Sequence, residues 1–229
     1  MDSNYSSEIK NWLSHQEGYS KIIYAPIEHF LLKYPKESVL GINTAFMYAE
    51  NYWIVRAENN FEFKNDFFNI CREDIEHFSD LLGSTNFSII GNKVLETANQ
   101  PRQESSVETT SRYVEIKNPE FTFPFGIIPI DLIYELNGYD EIYDLGHGGE
   151  QEDFISRALR IGHKFYFDNE MIGYSYKRES GTMGIHISQF IYSILLPQIQ
   201  SGKTRAFNIY DIRMAQSLYL AKKEKLTVK

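Results

Sequence analysis

The sequence is poor in three features that would mark other classes of protein. Cysteine occurs once, at Cys71, so no internal disulfide can form and a reducing compartment is expected. No group of cysteines and histidines has the spacing of a structural zinc site. The longest apolar runs, residues 125–136 and 190–199, are interrupted by Asp131 and Pro197. Both are much shorter than the roughly 20 residues that a membrane helix requires. We therefore expect a cytoplasmic protein with no membrane span.

Positive charge is also scarce. The 229 residues include 23 Lys and Arg against 31 Asp and Glu, which gives a net charge of −8. Nucleic-acid binding is therefore not expected, because it needs a basic surface that replaces phosphate counterions. The chain is 42% hydrophobic, enough to build a core, and 15% aromatic. Aromatic rings mostly pack in cores, but they also suit a surface that grips polar ligands such as sugars.

Helical and extended patterns alternate along the chain, which favours an α/β domain with a largely parallel sheet. A polar stretch, 96–112, interrupts them and is predicted to be a mobile loop that could close over a site. The predicted helices are 7–15, 27–33, 38–49, 65–82, 130–136, 150–161 and 209–225, and the predicted strands are 21–25, 52–57, 113–116, 121–125 and 164–167.

The densest polar constellation lies at residues 138–157. Glycines at 146, 148 and 149 allow the backbone to approach a ligand closely, and the predicted helix that follows begins with carboxylates. Glu150 and Asp153 are three residues apart and so share one helix face. They could bind sugar hydroxyls or act as a general base. The alternative is that they only complement the positive end of the helix dipole.

The segment 138–168, GYDEIYDLGHGGEQEDFISRALRIGHKFYFD, resembles the late half of inverting glycosyltransferases with the GT-A fold, in family 2 and the galactosyltransferase-like groups. Those proteins carry G-F-D-E, then G-x-G-G/x-E-D-x-D, an arginine and a later glycine. The resemblance implies a Rossmann-like α/β fold with a mixed, mostly parallel sheet flanked by helices. It implies a nucleotide-sugar donor and a saccharide acceptor, with Glu150 and Asp153 as catalytic residues. The acceptor-binding residues implied are His147, Gly148, Gly149, Arg157 and Tyr174.

An earlier segment, 35–70, resembles the middle of the same fold. The resemblance implies that Asn43, Glu58 and Asn60 bind the donor, with Glu58 and Asn60 in the slot of the family's D-x-D motif. There they would hold a divalent ion, Mn²⁺ or Mg²⁺, that bridges the donor diphosphate. His186 is the substitute for the family's late metal-binding histidine. On this basis we expect a metal-dependent hexosyltransferase that inverts the anomeric carbon and acts in glycan biosynthesis.

The sequence departs from the family pattern at its beginning and at residue 151. Only six residues precede the first predicted helix, where the family has its first nucleotide-binding strand. Gln151 stands where the family has an aspartate that deprotonates the acceptor hydroxyl. Either Glu150 or Asp153 has replaced that base, or the chain is an inactive partner subunit or saccharide-binding module. The missing strand could also come from another chain or an upstream region, and an unpaired sheet edge would favour a homo-oligomer.

The resemblance covers most of residues 1–200, which we predict to be the glycosyltransferase-like domain, with 201–229 as a C-terminal helical extension. Lys222, Lys223 and Lys225 lie near the end of that extension. They suit a solvated helix end, since cations complement the C-terminal dipole. A weak contact with an anionic membrane surface is the alternative.

Overall fold

The computed structural model describes residues 15, 39–57, 61–63, 66–97, 100–103, 111–117, 123–145, 149–176, 202–206, 208 and 211–227. They form an α/β fold in which helices flank a mixed sheet. The helices are α1 (Val39–Met47), α2 (Phe67–Leu82), α3 (Ile130–Leu136), α4 (Glu150–Arg160) and α5 (Ile212–Thr227), and a 3₁₀ turn spans Glu141–Leu145. The strands are β1 (Trp53–Ala57), β2 (Phe61–Phe63), β3 (Phe87–Thr97), β4 (Gln100–Gln103), β5 (Tyr113–Ile116), β6 (Phe125–Pro129) and β7 (Lys164–Tyr176).

The sheet is mostly antiparallel, so the predicted largely parallel sheet is wrong. The main strand order is β1-β6-β3-β7-β2, with β4 paired to β3 and β5 paired to β7. Only the β3–β7 pairing is parallel among the described strands. Alternating helices and strands suggest crossovers, but the direction in which each strand enters the sheet depends on distant partners that local patterns do not encode.

Most predicted elements in the described ranges are present, with three corrections. The strand predicted at 164–167 continues to Tyr176. Residues 100–103 form β4 and pair with the end of β3, so the predicted loop at 96–112 is wrong in this part. The strand predicted at 121–125 instead runs from Phe125 to Pro129. Residues 104–110 lie outside the described residues, as do the predicted elements at 21–25 and 27–33.

Two apolar cores are formed by the sheet and the helices that flank it. The first contains residues from α1, α3, α4 and α5, and the second contains residues of α2 together with residues of β3, β6 and β7. No helix among the described ranges is long and apolar enough to cross a membrane. The side chains of the second core are Phe67, Cys71, Phe78, Phe87, Ile89, Phe125, Ile127 and Met171.

The Phe125 ring lies so close to the backbone of two neighbouring strands that only glycine fits there. A Cβ at Gly91 would lie 1.9 Å from Cε2 of Phe125, and one at Gly173 would lie 2.6 Å from Cε1 of the same ring. The Phe125 ring therefore fills the space above two neighbouring strands. The β3–β7 register also shifts between Gly91 and Asn92.

The C-terminal segment packs on the same core as the rest of the chain. Ile212 is fully buried in the first core, and the backbone N–H of Ala206 donates to the carbonyl of Leu136 at 2.7 Å. Gln216 donates to the backbone carbonyl of Ala49. The described part of the predicted extension is thus tied to α1 and α3.

Candidate functional site

The first turn of α4 collects the carboxylates that the sequence analysis singled out. Gly149 precedes the helix with φ = 93°, a left-handed conformation that glycine adopts without strain. Glu150, Glu152 and Asp153 lie in the first turn, where negative charge complements the helix dipole. The structure divides them, since Asp153 is buried whereas Glu150 and Glu152 are half-buried.

Asp153 forms a buried ion pair rather than facing an acceptor. Its Oδ2 accepts a hydrogen bond from Nε of Arg157 at 2.8 Å, and only 5% of its side chain is exposed. Burial raises the pKa of Asp153, while Arg157 opposes that shift. A general base must come within hydrogen-bond reach of the hydroxyl that it deprotonates. In this structure Asp153 pairs with Arg157 inside the fold, and its catalytic role stays a prediction.

Arg157 holds the chain that leaves α3. Its Nη1 donates to the carbonyl of Leu136 and its Nη2 to the carbonyl of Gly138, each at 3.0 Å. With its Nε on Asp153, the guanidinium is bonded on three sides by the protein, and 1% of the side chain is exposed. A buried charge needs such partners to offset its desolvation. The structure thus gives Arg157 a positioning role, and the implied acceptor contact stays a prediction.

The side chain of Asn43 also forms its hydrogen bonds within the fold. Its Nδ2 donates to the carbonyl of Tyr139 at 2.8 Å, and its Oδ1 accepts from the N–H of Tyr139 at 2.9 Å. The side chain is fully buried. Asn43 therefore joins α1 to the 138–141 turn, and the donor contact implied for it stays a prediction.

The same turn is held from the other side by the C-terminal segment. Lys203 pairs with the buried Asp140 at 2.7 Å, and Asn208 accepts from the N–H of Glu141 at 2.9 Å. Asn137, in a left-handed conformation with φ = 58°, accepts from the N–H of Ile212. The G-Y-D-E part of the motif is consequently a packed junction between α1, α3, α4 and the C-terminal segment.

The end of β1 and the beginning of α4 meet at the backbone of Phe123. Arg56 of β1 donates to the carbonyl of Phe123, and the N–H of Phe123 donates to Oε1 of Gln151 at 2.5 Å. The Arg56 guanidinium also lies 5.8 Å from the Phe123 ring and 5.7 Å from the Tyr139 ring. We use the name β1–α4 junction for Arg56, Phe123, Tyr139, Gln151 and the adjacent Glu150.

The β1–α4 junction contains two residues whose placement the sequence analysis missed. Arg56 was treated only as part of a strand, although a cation in the apolar run YWIVRA is a usable signal. Gln151 was considered only as a departure from the family pattern, whereas its amide oxygen accepts a hydrogen bond from the backbone of Phe123, two residues before β6. Because these contacts join residues far apart in sequence, no local pattern could have paired them.

The remaining implied site residues are not brought together in the described structure. Tyr174 is half-buried in β7, opposite Glu62 of β2 and Val94 of β3, and three strands from β1 in the sheet order. Five others lie outside the described residues: Glu58, Asn60, His147, Gly148 and His186. Among the residues that are described, no group of three His, Cys, Asp or Glu side chains could hold a metal ion.

A second polar cluster connects β5 to α2 and β7. Arg112 bridges the buried carboxylates of Asp74, at 2.8 Å, and Asp168, at 3.2 Å, and also pairs with Glu170. Tyr113 donates its hydroxyl to Oδ1 of Asp74. Burial and the neighbouring Asp168 raise the pKa of Asp74, while Tyr113 and Arg112 oppose that shift. Its Oδ1 accepts hydrogen bonds from both Arg112 and Tyr113.

A buried histidine joins the beginnings of β3 and β7. His163 lies within hydrogen-bond distance of Ser88 Oγ, at 2.9 Å through Nε2, and of Asn86 Oδ1, at 2.7 Å through Nδ1. Burial lowers the pKa of His163 to about 3, so the ring is neutral. Asn86 then accepts from Nδ1–H and Ser88 donates to Nε2. Since Ser88 is fully buried, this arrangement resembles a catalytic triad in connectivity only.

Comparison with known proteins assigns no family to the chain. No protein-family model matches the chain, and no curated protein matches it at a significant level.

Proposed function

We propose that the chain is a GT-A-type glycosyltransferase that moves a sugar from a nucleotide-sugar donor to a saccharide acceptor with inversion. The observation that carries the proposal is the β1–α4 junction. There the end of β1, which leads into Glu58 and Asn60, meets the first turn of α4, which carries Glu150. This contact supports a site in which the donor side and the acceptor side implied by the two motifs lie next to each other.

Glu150 is the base in this proposal. Asp153 is buried against Arg157, and a glutamine amide such as that of Gln151 cannot take up a proton at neutral pH. Glu150 is half-buried in the first turn of α4, next to the residue that contacts Phe123. Its carboxylate would accept the proton of the acceptor hydroxyl while the hydroxyl oxygen attacks the anomeric carbon. The bond from that carbon to the nucleotide diphosphate breaks, and the configuration inverts.

The donor side combines oxygen ligands with a nearby cation. Glu58 offers a carboxylate and Asn60 a carbonyl, and both are acceptable ligands for a hard divalent ion. Mn²⁺ or Mg²⁺ held there, with His186 as a further ligand, would supply positive charge for the departing diphosphate. Arg56 precedes this slot by two residues and adds a fixed positive charge at the junction.

A second candidate function is a saccharide-binding module or partner subunit without transferase activity. It is favoured by Gln151, which occupies the position of the family's base and is bonded to the backbone of Phe123. In that case the aromatic and carboxylate groups of the junction would bind a glycan without activating it. Glycan affinity that survives chelation of divalent ions would support this alternative.

The proposal is tested with Glu150→Gln and its neighbour Glu152→Gln as the matched control. Both residues are half-buried and lie in the same turn of α4. Transfer of labelled sugar from a panel of nucleotide sugars should fall by about 10²–10⁴-fold in Glu150→Gln, because the general base is lost. Glu152→Gln should retain transfer.

The donor is identified first by thermal shift with nucleotide diphosphates in Mn²⁺, Mg²⁺ or EDTA. A ligand at 100 times its dissociation constant stabilises the fold by about 2.7 kcal/mol. No shift with any nucleotide in a folded sample, or equal transfer by both glutamine variants, would refute the proposed transferase.

A further inference from the structure

Two fully buried carboxylates share a single guanidinium. Nη2 of Arg112 lies 2.8 Å from Oδ1 of Asp74 and 3.2 Å from Oδ2 of Asp168, so one nitrogen contacts both side chains. Neither aspartate is exposed, whereas Glu170, the third carboxylate on this guanidinium, is 60% exposed and therefore solvated. If both aspartates were ionised, one cation would face two desolvated negative charges. Burying an uncompensated charge is costly, and the group usually becomes neutral instead.

The donors around the two carboxylates indicate where a proton would sit. Both oxygens of Asp168 accept hydrogen bonds, from Nε and Nη2 of Arg112 and from the N–H of Glu170. Oδ1 of Asp74 accepts from Arg112 and Tyr113. Oδ2 of Asp74 is buried and has no hydrogen-bond partner in the described part of the chain. Because donors favour the ionised form of a carboxyl group, Asp168 is the ionised partner, and a proton on Oδ2 of Asp74 would satisfy the remaining oxygen.

The other titratable groups that face the pair keep their charge states near neutral pH, with one exception. Burial and Asp74 raise the pKa of the Cys71 thiol to about 12. Burial and the hydrogen bond to Asp74 raise the pKa of Tyr113. Both groups are therefore neutral, and Arg112 stays charged. The exception is His77 of α2, which is exposed and stacks on Tyr113 with 5.0 Å between ring centroids.

The same contacts hold one edge strand of the sheet. Strand β5 pairs with β7 and with no other described strand. Just before it, the carbonyl of Arg112 accepts from the N–H of Asn169 at 3.0 Å, and the carbonyl of Ser111 accepts from Nδ2 of Asn169 at 2.9 Å. We use the name β5 strap for residues 111–116. Its side-chain contacts with α2 go through Asp74, from Arg112 and Tyr113.

We propose that Asp74 and Asp168 hold one proton between them, and that this proton keeps the β5 strap closed on α2 and β7. With the proton on Oδ2 of Asp74, one buried carboxylate faces one guanidinium. Loss of the proton places a second negative charge beside the first, and the repulsion favours an open strap in which water solvates both carboxylates. The β5 strap is thus a pH-sensitive element that opens as pH rises. This inference does not depend on glycosyl transfer, since no residue of the β1–α4 junction takes part in it.

The two states of the strap determine the direction of the pH dependence. In the closed state burial and Asp168 raise the pKa of Asp74. In the open state the carboxyl is solvated and its pKa returns to its ordinary value of about 4. Between these two pKa values the closed state binds one more proton than the open state. The closing equilibrium constant therefore falls by up to about ten-fold for each pH unit in this window, and it becomes constant above the raised pKa.

The experiment is amide hydrogen exchange of the whole chain, with protection factors of the β5 amides measured between about pH 4 and pH 9. Protection factors remove the intrinsic pH dependence of exchange. In the wild type, protection should fall as pH rises and then level off. Asp74→Asn should keep the strap closed throughout, because the amide donates in place of the carboxyl proton and its oxygen still accepts. Asp168→Asn should lower protection by about a hundred-fold at neutral pH, because it removes the buried charge that pairs with Arg112.

Two control variants separate the carboxylate pair from other titrating groups. Asp80→Asn changes an exposed carboxylate on the same helix as Asp74. His77→Gln removes the exposed imidazole that stacks on Tyr113. Both variants should keep the wild-type pH profile of β5 protection.

Four results would overturn the proposal. One is wild-type protection of β5 that does not change with pH, and another is a pH-dependent profile that persists in Asp74→Asn. The third is loss of the pH dependence in His77→Gln, which would make the histidine the titrating group. The fourth is an equal loss of protection in Asp74→Asn and Asp168→Asn at neutral pH, which would mean that both carboxylates are ionised. The first three do not require that Asp168→Asn folds.

Discussion

Replacing Arg157 by methionine should lower the free energy of unfolding by about 3–5 kcal/mol. Methionine retains much of the aliphatic packing but removes the guanidinium. The substitution leaves the Asp153 carboxylate buried without its counter-ion, and it removes the donors to the carbonyls of Leu136 and Gly138. Removing one partner of a buried pair is costly because the other charge remains desolvated.

The assay is urea unfolding at neutral pH, followed by tryptophan fluorescence. Arg160→Met is the matched control, because Arg160 lies one turn later on α4 and is exposed. Its substitution should change the free energy by less than about 0.5 kcal/mol. A double-mutant cycle with Asp153→Asn isolates the pair, and we expect a coupling energy of about 1–3 kcal/mol.

The reasoning would be refuted if Arg157→Met lost no more than the Arg160→Met control. It would also fail if the cycle with Asp153→Asn were additive. Either result would mean that Arg157 and Asp153 do not form the buried pair, and Asp153 would again be a candidate base.

Two further predictions concern packing and pH. Gly91→Ala should destabilise the fold by more than about 2 kcal/mol in chemical denaturation, because its Cβ would overlap the Phe125 ring. The control is Gly162→Ala, at a position with open space but positive φ. A smaller loss of stability in Gly91→Ala than in Gly162→Ala would contradict the prediction. Unfolding measured across pH should show two opposite slopes. His163 has a lowered pKa, so its contribution is present above about pH 6.5 and is lost as pH falls towards 3, and His163→Gln should remove that loss. Asp74 has a raised pKa, so its contribution is present below about pH 4 and is lost as pH rises through the raised pKa. An unchanged pH dependence of stability above pH 4 in Asp74→Asn would count against this assignment.

Local signals predicted the helices well. Helix α3 begins and ends at the predicted residues, Ile130 and Leu136, and α4 differs from its prediction by one residue at the C-terminal end. Both have short-range causes, since α3 is followed by the Asn137-Gly138 turn and α4 begins after Gly149 with three carboxylates. Such features act within one or two turns and are therefore visible in the sequence.

Long-range pairing was not predictable in the same way. The antiparallel β1–β6 pair places Ala57 opposite Phe125, 68 positions later in the chain, and no local pattern specifies that register. Arg112 is a similar case, because the sequence analysis placed it at the end of a mobile loop. The structure joins it to Asp74 and Asp168, residues 38 and 56 positions away.

The family resemblance and the structure bear on different parts of the proposal. Asn43, Asp153 and Arg157 carry much of the resemblance, and the structure uses all three to fix the 138–141 turn and α4. Their agreement with the motif therefore reflects the local architecture of this turn and helix and does not by itself support a shared reaction. Glu150 differs from them, since it lies at the β1–α4 junction and is only half-buried. Loss of transfer in Glu150→Gln with unchanged stability would connect that architecture to catalysis, whereas loss of stability alone would place Glu150 among the positioning residues.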